Sequence, residues 1–201
     1  EPRILPLDGG SLVTIKGKYF DLFQTSIHVA DVPCLIIEEE SSDTKMMCQS
    51  GNAGSTSRAG FVEIKFGPYG PRIQSQQNIS YTNPRIHSIE PLIGIQNGGT
   101  VLTFIGENFD IGNTHLSIFI GSRLCQLISI SMTKLQCKTR TFPHSMLNKQ
   151  QPIKLIFDRQ TELIYRESFA VFPNPNLDSF KHFSSFVSGG HQLNIIGEHF
   201  D

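Results

Sequence analysis

The four cysteines are the most reactive side chains in this sequence, and their spacing limits what they can form. More than ten residues separate Cys34 from Cys48, and likewise Cys125 from Cys137. Structural zinc sites normally take their ligands from Cys-x2-4-Cys pairs, so this spacing does not fit zinc. Two interpretations remain: disulfides, for which four cysteines allow three connectivities, or reduced thiols buried in a cytosolic protein.

The other chemically capable side chains form no recognisable site. His182, His191 and His199 fall in one short span, but the first two flank a predicted turn and the third ends a predicted strand, so we do not expect them to converge on a metal. The glycine pairs lack the patterns of a phosphate-binding loop, and no Gly-x-Ser-x-Gly elbow places a serine nucleophile. We therefore expect no catalytic activity, cofactor, metal or small-molecule substrate in this chain.

The cysteines belong to a pattern that recurs about every 90 residues. The repeated phrases are Gly9-Gly10-Ser11 with Gly17-Lys18-Tyr19-Phe20-Asp21, Gly98-Gly99-Thr100 with Gly106-Glu107-Asn108-Phe109-Asp110, and Gly189-Gly190 with Gly197-Glu198-His199-Phe200-Asp201. This period exceeds that of solenoid repeats and equals one small domain. We predict modules at 1–82, 83–173 and 174–201, the first without its opening strand and the last being the opening of a further domain in a longer protein.

The repeated residues have predictable local roles. Each glycine pair is expected to form a turn with positive φ just ahead of a strand. The single glycine of the second phrase (Gly17, Gly106, Gly197) is expected to mark a bulge or a close backbone approach as that strand ends. The phenylalanine that follows it (Phe20, Phe109, Phe200) is expected to fill the core.

Each cysteine pair occupies the same place within its module. Pairing Cys34 with Cys48 and Cys125 with Cys137 closes a short loop inside each module, consistent with separate folding in an oxidising compartment. The other connectivities would join neighbouring modules through equivalent positions. Asn78-Ile79-Ser80 is the only Asn-x-Ser/Thr acceptor in the chain and predicts a glycan near a module boundary.

Short apolar runs between these phrases predict strands. They are Leu12–Lys16, Ser26–Val29, Cys34–Ile37, Lys45–Cys48, Val62–Phe66, Ile79–Tyr81, Arg85–Ile89, Val101–Ile105, Leu116–Ile120, Cys125–Ile130, Lys134–Cys137, Ile153–Phe157 and Ser168–Phe172. No long stretch has a helical period with caps, and 11 prolines and 17 glycines interrupt the chain. We predict an all-β protein of tandem immunoglobulin-like β-sandwiches, joined by the stiff linkers Asn83-Pro84 and Asn174-Pro175.

The charge balance excludes one class of partner. With 17 basic and 18 acidic side chains, the formal net charge is −1, which gives no electrostatic footprint for nucleic acid. The sequence contains no secretory signal and no run of 18 apolar residues, so any membrane segment would lie outside this chain.

The stretch from Asn97 to Phe109, with Pro91 ahead of it, resembles the opening of the IPT/TIG domain. This immunoglobulin-like fold is shared by plexins, transcription factors and scatter-factor receptors. The later stretch from Ile120 to Cys125, with Leu135-Gln136-Cys137, is similar to the disulfide-bearing version found in cell-surface receptors.

The resemblance implies an extracellular stalk segment of a single-pass receptor at the cell membrane, similar to plexins, the semaphorin receptors of cell guidance. A semaphorin would then bind an upstream propeller domain outside this chain. Any further protein ligand or co-receptor would bind the extracellular region. Intracellular signalling would belong to downstream domains. The alternative is the ectodomain of a tyrosine kinase of the hepatocyte growth factor receptor type, whose IPT modules bind ligand directly.

The cysteine pattern predicts the outcome of peptide mapping on natively produced protein. Non-reducing digestion and mass spectrometry should recover one peptide pair joining Cys34 to Cys48 and another joining Cys125 to Cys137. Four unpaired sulfurs would contradict both the disulfide interpretation and the extracellular location.

Overall fold

The computed structural model describes residues 2–21, 25–112, 115–181, 187–190 and 192–199. Within these ranges the regular elements are strands, apart from short 3-10 helices at Glu38–Glu40 and His144–Met146. The predicted all-β fold is therefore confirmed.

Each of the first two modules is one sheet of seven or eight strands. The first contains β1 (Ile4–Pro6), β2 (Leu12–Lys16), β3 (Thr25–Val29), β4 (Val32–Ile36), β5 (Lys45–Ser50), β6 (Arg58–Phe66) and β7 (Arg72–Thr82). The second contains β8 (Arg85–Glu90), β9 (Ile93–Ile95), β10 (Val101–Glu107), β11 (Leu116–Ile120), β12 (Arg123–Ile130), β13 (Lys134–Lys138), β14 (Gln150–Phe157) and β15 (Thr161–Phe172). A hairpin of β16 (Asn176–Lys181) and β17 (Asn194–Glu198) follows.

The sheet of each module folds over on itself around one core. In the second module the strand order is β8-β10-β13-β12-β11-β14-β15-β9. β12 makes the fold possible because its first residues pair with β11 and its later residues pair with β13. The first module repeats this order from β2 through β5, β4, β3, β6 and β7 to β1. It has no described counterpart of β8, so β2 lies at the edge of its sheet.

Aromatic side chains fill the second core, whereas the first core is mostly aliphatic. Phe104, Phe109, Phe142, Phe157 and Phe169 are at most 1% exposed. They come from strands of both halves of the sheet and from the loops between them. The two modules have separate core clusters, so each one buries its own apolar surface.

The repeated glycines take up backbone conformations that other residues rarely adopt. Gly98 and Gly99 have φ of 72° and 88°, and both other glycine pairs have the same positive sign. The pairing of β10 with β8 is irregular between Ile105 and Gly106, where a Cβ on Gly106 would overlap the carbonyl of Arg85. This position is a bulge with a close backbone approach. Of the three repeated phenylalanines, Phe200 lies outside the described residues.

Sequence patterns missed some strands and shortened others. β1 and β9 pair in parallel with β7 and β15, but each has only three residues, too few to show alternation. β7 begins at Arg72 and β15 at Thr161, well before the predicted apolar runs. The first residues of β7 are mostly exposed and polar, whereas those of β15 include the buried Thr161 and Tyr165 between exposed residues.

The different burial of two equivalent phenylalanines gives a testable difference in stability. Phe109 is fully buried and Phe20 only half-buried. We expect Phe109→Ala to cost about 3–5 kcal/mol of the second module's unfolding free energy, and Phe20→Ala less than half of that in the first module. Urea titrations monitored by hydrogen exchange in each module measure both values. Equal losses would contradict the assigned burial.

Candidate functional site at the module joint

The two disulfides join neighbouring strands at the same place in each module. Cys34 in β4 is bonded to Cys48 in β5, with Cα atoms 5.5 Å apart. Cys125 in β12 is bonded to Cys137 in β13, at 5.7 Å. All four side chains are buried, and no cysteine is free. The bonds constrain the strand that crosses between the two halves of the sheet and leave no reactive thiol.

The remaining predicted site residues do not come together. The side chain of Asn78 is exposed on β7, and its glycosylation remains a prediction. His182 and His191 lie outside the described residues. Within the described ranges, no three His, Cys, Asp or Glu side chains are placed to hold a metal ion. The same part of the chain contains no helix long and apolar enough to cross a membrane.

The functional interest of this chain lies where its two modules meet. The tip of the β14–β15 hairpin in the second module lies against the glycine turn of the first. There the Ser11 hydroxyl donates a hydrogen bond to the Asp158 carboxylate. Ser11 is 0% exposed and Asp158 8% exposed, so the pair is removed from solvent. A hydrogen bond to a charged group is stronger than a neutral one, and its loss in a buried site leaves an unsatisfied group.

Backbone contacts hold the acceptor and the donor in place. The Asp158 carboxylate also accepts from the His115 amide at 3.3 Å, which fixes it to its own module. The Ser11 amide donates to Ser50 Oγ at 3.1 Å, and the Gly10 amide donates to the Ser50 carbonyl at 2.8 Å. Each side of the contact is therefore positioned before the modules meet.

Burial in the first module also acts on a tyrosine. Tyr81, at the end of β7, is 0% exposed. Burial raises the pKa of Tyr81 to about 12, because the ionised phenolate would lose its hydration. The phenol therefore stays neutral at physiological pH.

Two glycines allow the modules to approach closely. A Cβ on Gly10 would overlap the Gln160 side chain, and a Cβ on Gly112 would overlap the Asp158 carboxylate. The Gly112 amide also donates to the carbonyl of Ile4 at 2.9 Å, which links the backbones of the two modules directly. At Gly112 a Cβ would also overlap the Ser11 hydroxyl, so a larger residue there would disturb the buried pair, whereas at Gly10 the end of the Gln160 side chain would have to move.

The joint also has an apolar component. The side chain of Ile4, from the first module, is partly buried against the core cluster of the second. Burial of apolar surface stabilises such a contact by about 25 cal/mol per Å², so it opposes separation of the modules. The joint thus combines an apolar contact, a backbone hydrogen bond and a charge-assisted hydrogen bond.

The same turn in the second module shows what the joint changes. The Thr100 amide donates to Thr139 Oγ1 at 3.0 Å, as the Ser11 amide does to Ser50. Thr100 is nevertheless only half-buried, whereas Ser11 is fully buried. The local turn is the same, so the additional burial of Ser11 comes from the hairpin of the neighbouring module.

Both linkers are anchored to the module that precedes them. The Asn83 side-chain oxygen accepts from the Leu7 amide at 3.2 Å, and the Asn174 side-chain oxygen accepts from the Asn97 amide at 2.8 Å. The proline after each asparagine fixes its own φ and restricts the residue before it. The sequence predicted stiff Asn-Pro linkers but not the anchoring side chains.

Sequence reasoning also missed the pairing of Ser11 with Asp158. The two residues are 147 positions apart, and each sits in a turn where a small polar residue is expected for local reasons. The one usable sequence signal of a close contact was Gly112, a glycine outside the repeated phrases; in the structure it has φ of 63°.

A double-mutant cycle tests whether the joint couples the two modules. We expect Ser11→Ala and Asp158→Ala to be non-additive, with a coupling energy of about 1–3 kcal/mol in the free energy of unfolding. Arg159→Ala is the matched control, since Arg159 is exposed in the same hairpin tip and has a positive φ, as Asp158 has. A cycle of Ser11→Ala with Arg159→Ala should give a coupling near zero. Equal coupling in both cycles would contradict a specific contact.

Comparison with known proteins agrees with this architecture. The family model described as the IPT/TIG domain matches residues 1–82 and 84–162. The chain is 29% identical to human Plexin-B1 over 211 aligned residues, which cover 100% of this chain and 10% of that protein. This chain therefore spans about a tenth of the length of that relative.

Two solved structures of Plexin A4, both of its full extracellular region, are similar in fold. The first superposes with a TM-score of 0.77 at 24% identity and covers 98% of this chain and 17% of that one. The second has a TM-score of 0.70 at 24% identity and covers 84% and 17%. The resemblance drawn from the glycine and cysteine phrases is thus confirmed. The chain belongs to the IPT/TIG domain family, and its tandem domains match the extracellular region of plexins.

Proposed function

We propose that this chain is a stiff spacer segment in the extracellular portion of a plexin-type receptor at the cell surface. In this role it holds the ligand-binding part of the receptor at a set distance and angle from the membrane. The observation that carries the proposal is the solvent-excluded hydrogen bond from Ser11 to Asp158 across the joint. The four cysteines, the most reactive side chains of the chain, are paired in disulfides.

Domains within one chain usually move relative to each other unless their interface resists it. Here, bending would separate Ser11 from Asp158 and break the hydrogen bond between Gly112 and Ile4. Both modules would also have to pivot about a linker whose asparagine and proline are fixed. The free-energy cost of bending is therefore the sum of several contacts, and the joint favours one angle.

The joint is asymmetric, which matters for a tandem array. The first module contributes its glycine turn and the second its hairpin tip, so the contact is heterologous and can repeat in one direction. The pairing of β16 with β17 supports such a repeat: Leu177 faces Gly197 as Ile86 faces Gly106. We propose that 174–201 opens a further module that leaves the second one as the second leaves the first.

The proposed partners follow from the same role. A semaphorin would bind outside this chain, and the chain would transmit the position and orientation of the bound head toward the membrane. The direct growth-factor-binding alternative predicts an aromatic or arginine anchor cluster on one module. The fully exposed Tyr69 is at the β6–β7 hairpin tip of the first module, and the nearby Arg72 is paired with Glu63 at 3.3 Å.

Small-angle X-ray scattering tests the spacer function. We expect a single extended shape for the native chain and a broader distribution of interdomain distances for the Ser11→Ala, Asp158→Ala double variant, because the joint then loses its buried polar pair. Arg159→Ala should scatter like the native chain. A broad distribution in the native chain itself would refute the stiff-spacer proposal.

A further inference from the structure

The near-neutral charge of the whole chain hides an uneven distribution along it. Residues 111–157 contain six Lys or Arg residues and no Asp or Glu, although 18 of the 201 residues of the chain are acidic. The corresponding stretch of the first module, residues 22–66, contains six acidic and three basic side chains. Protein surfaces normally intersperse both signs, so the second module has an unusually one-sided charge distribution.

Three of these cations follow one strand. Lys134 and Lys138 are exposed on β13, and the exposed Arg140 comes two residues after Lys138. Successive side chains of a strand point to opposite faces of the sheet. The residues that alternate with the cations are all buried: Leu135, Cys137 and Thr139. The three cations therefore form a line on the outer face of the second module.

A fourth cation joins this line from the neighbouring strand. Arg123, at the start of β12, donates from Nε to the Thr141 carbonyl at 3.0 Å. This hydrogen bond holds its exposed guanidinium group beside the residue that follows Arg140. The name basic row is used below for the set Lys134, Lys138, Arg140 and Arg123.

The basic row is not neutralised by the rest of the described chain. None of its four members forms a salt bridge with a described residue. The other two cations of residues 111–157 are engaged, since Lys154 pairs with Glu162 at 3.2 Å and Lys149 donates to the Ser145 carbonyl at 2.8 Å. The positive charge of the row is therefore available to a partner.

The strands on either side of β13 place no carboxylate opposite these lysines. On β10, the residues opposite Lys134 and Lys138 are Ile105 and Val101, and on β12 the residue opposite Lys138 is Gln126. The acidic residues of β8 and β10 stand at the last position of each strand. Strand pairing thus leaves the lysines of the row without an opposite charge.

The surface that carries the basic row is held rigidly. The disulfide from Cys137 to Cys125 joins β13 to β12. Between the two lysines, the Gln136 side chain donates to Thr103 Oγ1 at 3.0 Å and accepts from Ser129 Oγ at 3.3 Å. These side chains link three strands across the outer face. A ligand would therefore meet a preorganised backbone, which lowers the entropy lost on binding.

The length of the row sets the kind of anion that can fill it. At about 3.3 Å per residue, Lys134 and Lys138 are about 13 Å apart along the strand, and Arg140 is about 7 Å farther. A single sulfate or phosphate ion is too small to contact all three cations. A linear polymer with repeated negative charges can contact them together.

We propose that the basic row binds a sulfated polysaccharide, which lies along β13 with its anionic groups against the four cations. Arg and Lys form charge-assisted hydrogen bonds with such oxyanions, and these are stronger than neutral ones. The proposal relies on the extracellular setting of the proposed function and is independent of the spacer role. A bound polysaccharide would tie the second module to its surroundings.

The outer face favours a polysaccharide over an acidic protein segment. Protein interfaces depend on aromatic or arginine anchors that fill buried pockets. The strands β10, β12 and β13 are fully described, and they expose no aromatic side chain. Binding of a linear polyanion needs no such anchor, because its main driving force is the release of counterions.

Titration calorimetry with a heparin fragment of defined length tests the proposal. The test variant combines Lys134→Gln, Lys138→Gln and Arg140→Gln. We expect the native chain to bind the fragment and the variant to bind about tenfold or more weakly. The slope of log K against log salt concentration should also fall by about two to three, because three cations no longer release counterions. The unfolding midpoint of the variant should match that of the native chain, since all three side chains are exposed.

The matched control removes the same charge from the first module. It combines Lys16→Gln, Lys18→Gln and Arg58→Gln, which also replace two exposed lysines and one exposed arginine. This control should bind heparin as the native chain does. Equal weakening in both triple variants, or no binding by the native chain, would overturn the proposal.

Two further probes identify the chemistry of the partner. Desulfated heparin and poly-glutamate should each bind the native chain at least tenfold more weakly than heparin. Equal binding of desulfated heparin would show that sulfate groups are not recognised, and equal binding of poly-glutamate would assign the row to acidic protein segments. Either result refutes the proposal. Because heparin binding does not require a stiff joint, this experiment and the scattering experiment can fail separately.

Discussion

Each module of this protein has to seal a core with about 90 residues, and the rest of the structure depends on that constraint. One sheet supplies both walls of the core, so a single strand must cross from one wall to the other. β4 and β12 are these crossing strands, and each carries one cysteine of a disulfide to the next strand. A bridge that closes so short a loop contributes about 3 kcal/mol in the chain-entropy model. That contribution is a large part of the stability of a domain of this size.

The glycine phrases serve the same constraint at the two ends of the strand that lies between them. The paired glycines allow the chain to turn sharply into the second strand with positive φ at both positions. The later glycine lets the neighbouring strand approach, and the phenylalanine after it closes the core beneath. The turn formed by the paired glycines also receives the hairpin tip of the next module. The turn therefore has one role inside its module and another between modules.

The joint shows how modules that fold separately can still be held at one angle. Its interactions are few, but they differ in kind, and both polar partners are fixed by their own modules before contact. Little side-chain entropy is then lost when the modules meet. The asparagine-proline linkers act in the same direction, since they restrict the chain between the modules. A spacer needs this combination, because a flexible tether would not transmit the orientation of a bound ligand.

The sequence by itself determined the fold class, the repeat and the local roles of its glycines. These features depend on short-range physics: alternating apolar residues, turns that need positive φ, and cysteines at the same position in each repeat. Phe109 is an example, since its place after the Gly106 bulge was enough to predict a buried side chain. The strand limits were less predictable at the starts of β7 and β15, because charged and amide side chains there interrupt the apolar pattern.

Only the tertiary structure decided how the modules meet. Ser11 and Asp158 are far apart in sequence and have ordinary local environments, so nothing short-range marks them as partners. This contact depends on which surfaces come to lie next to each other, which the folded chain determines and a local pattern cannot.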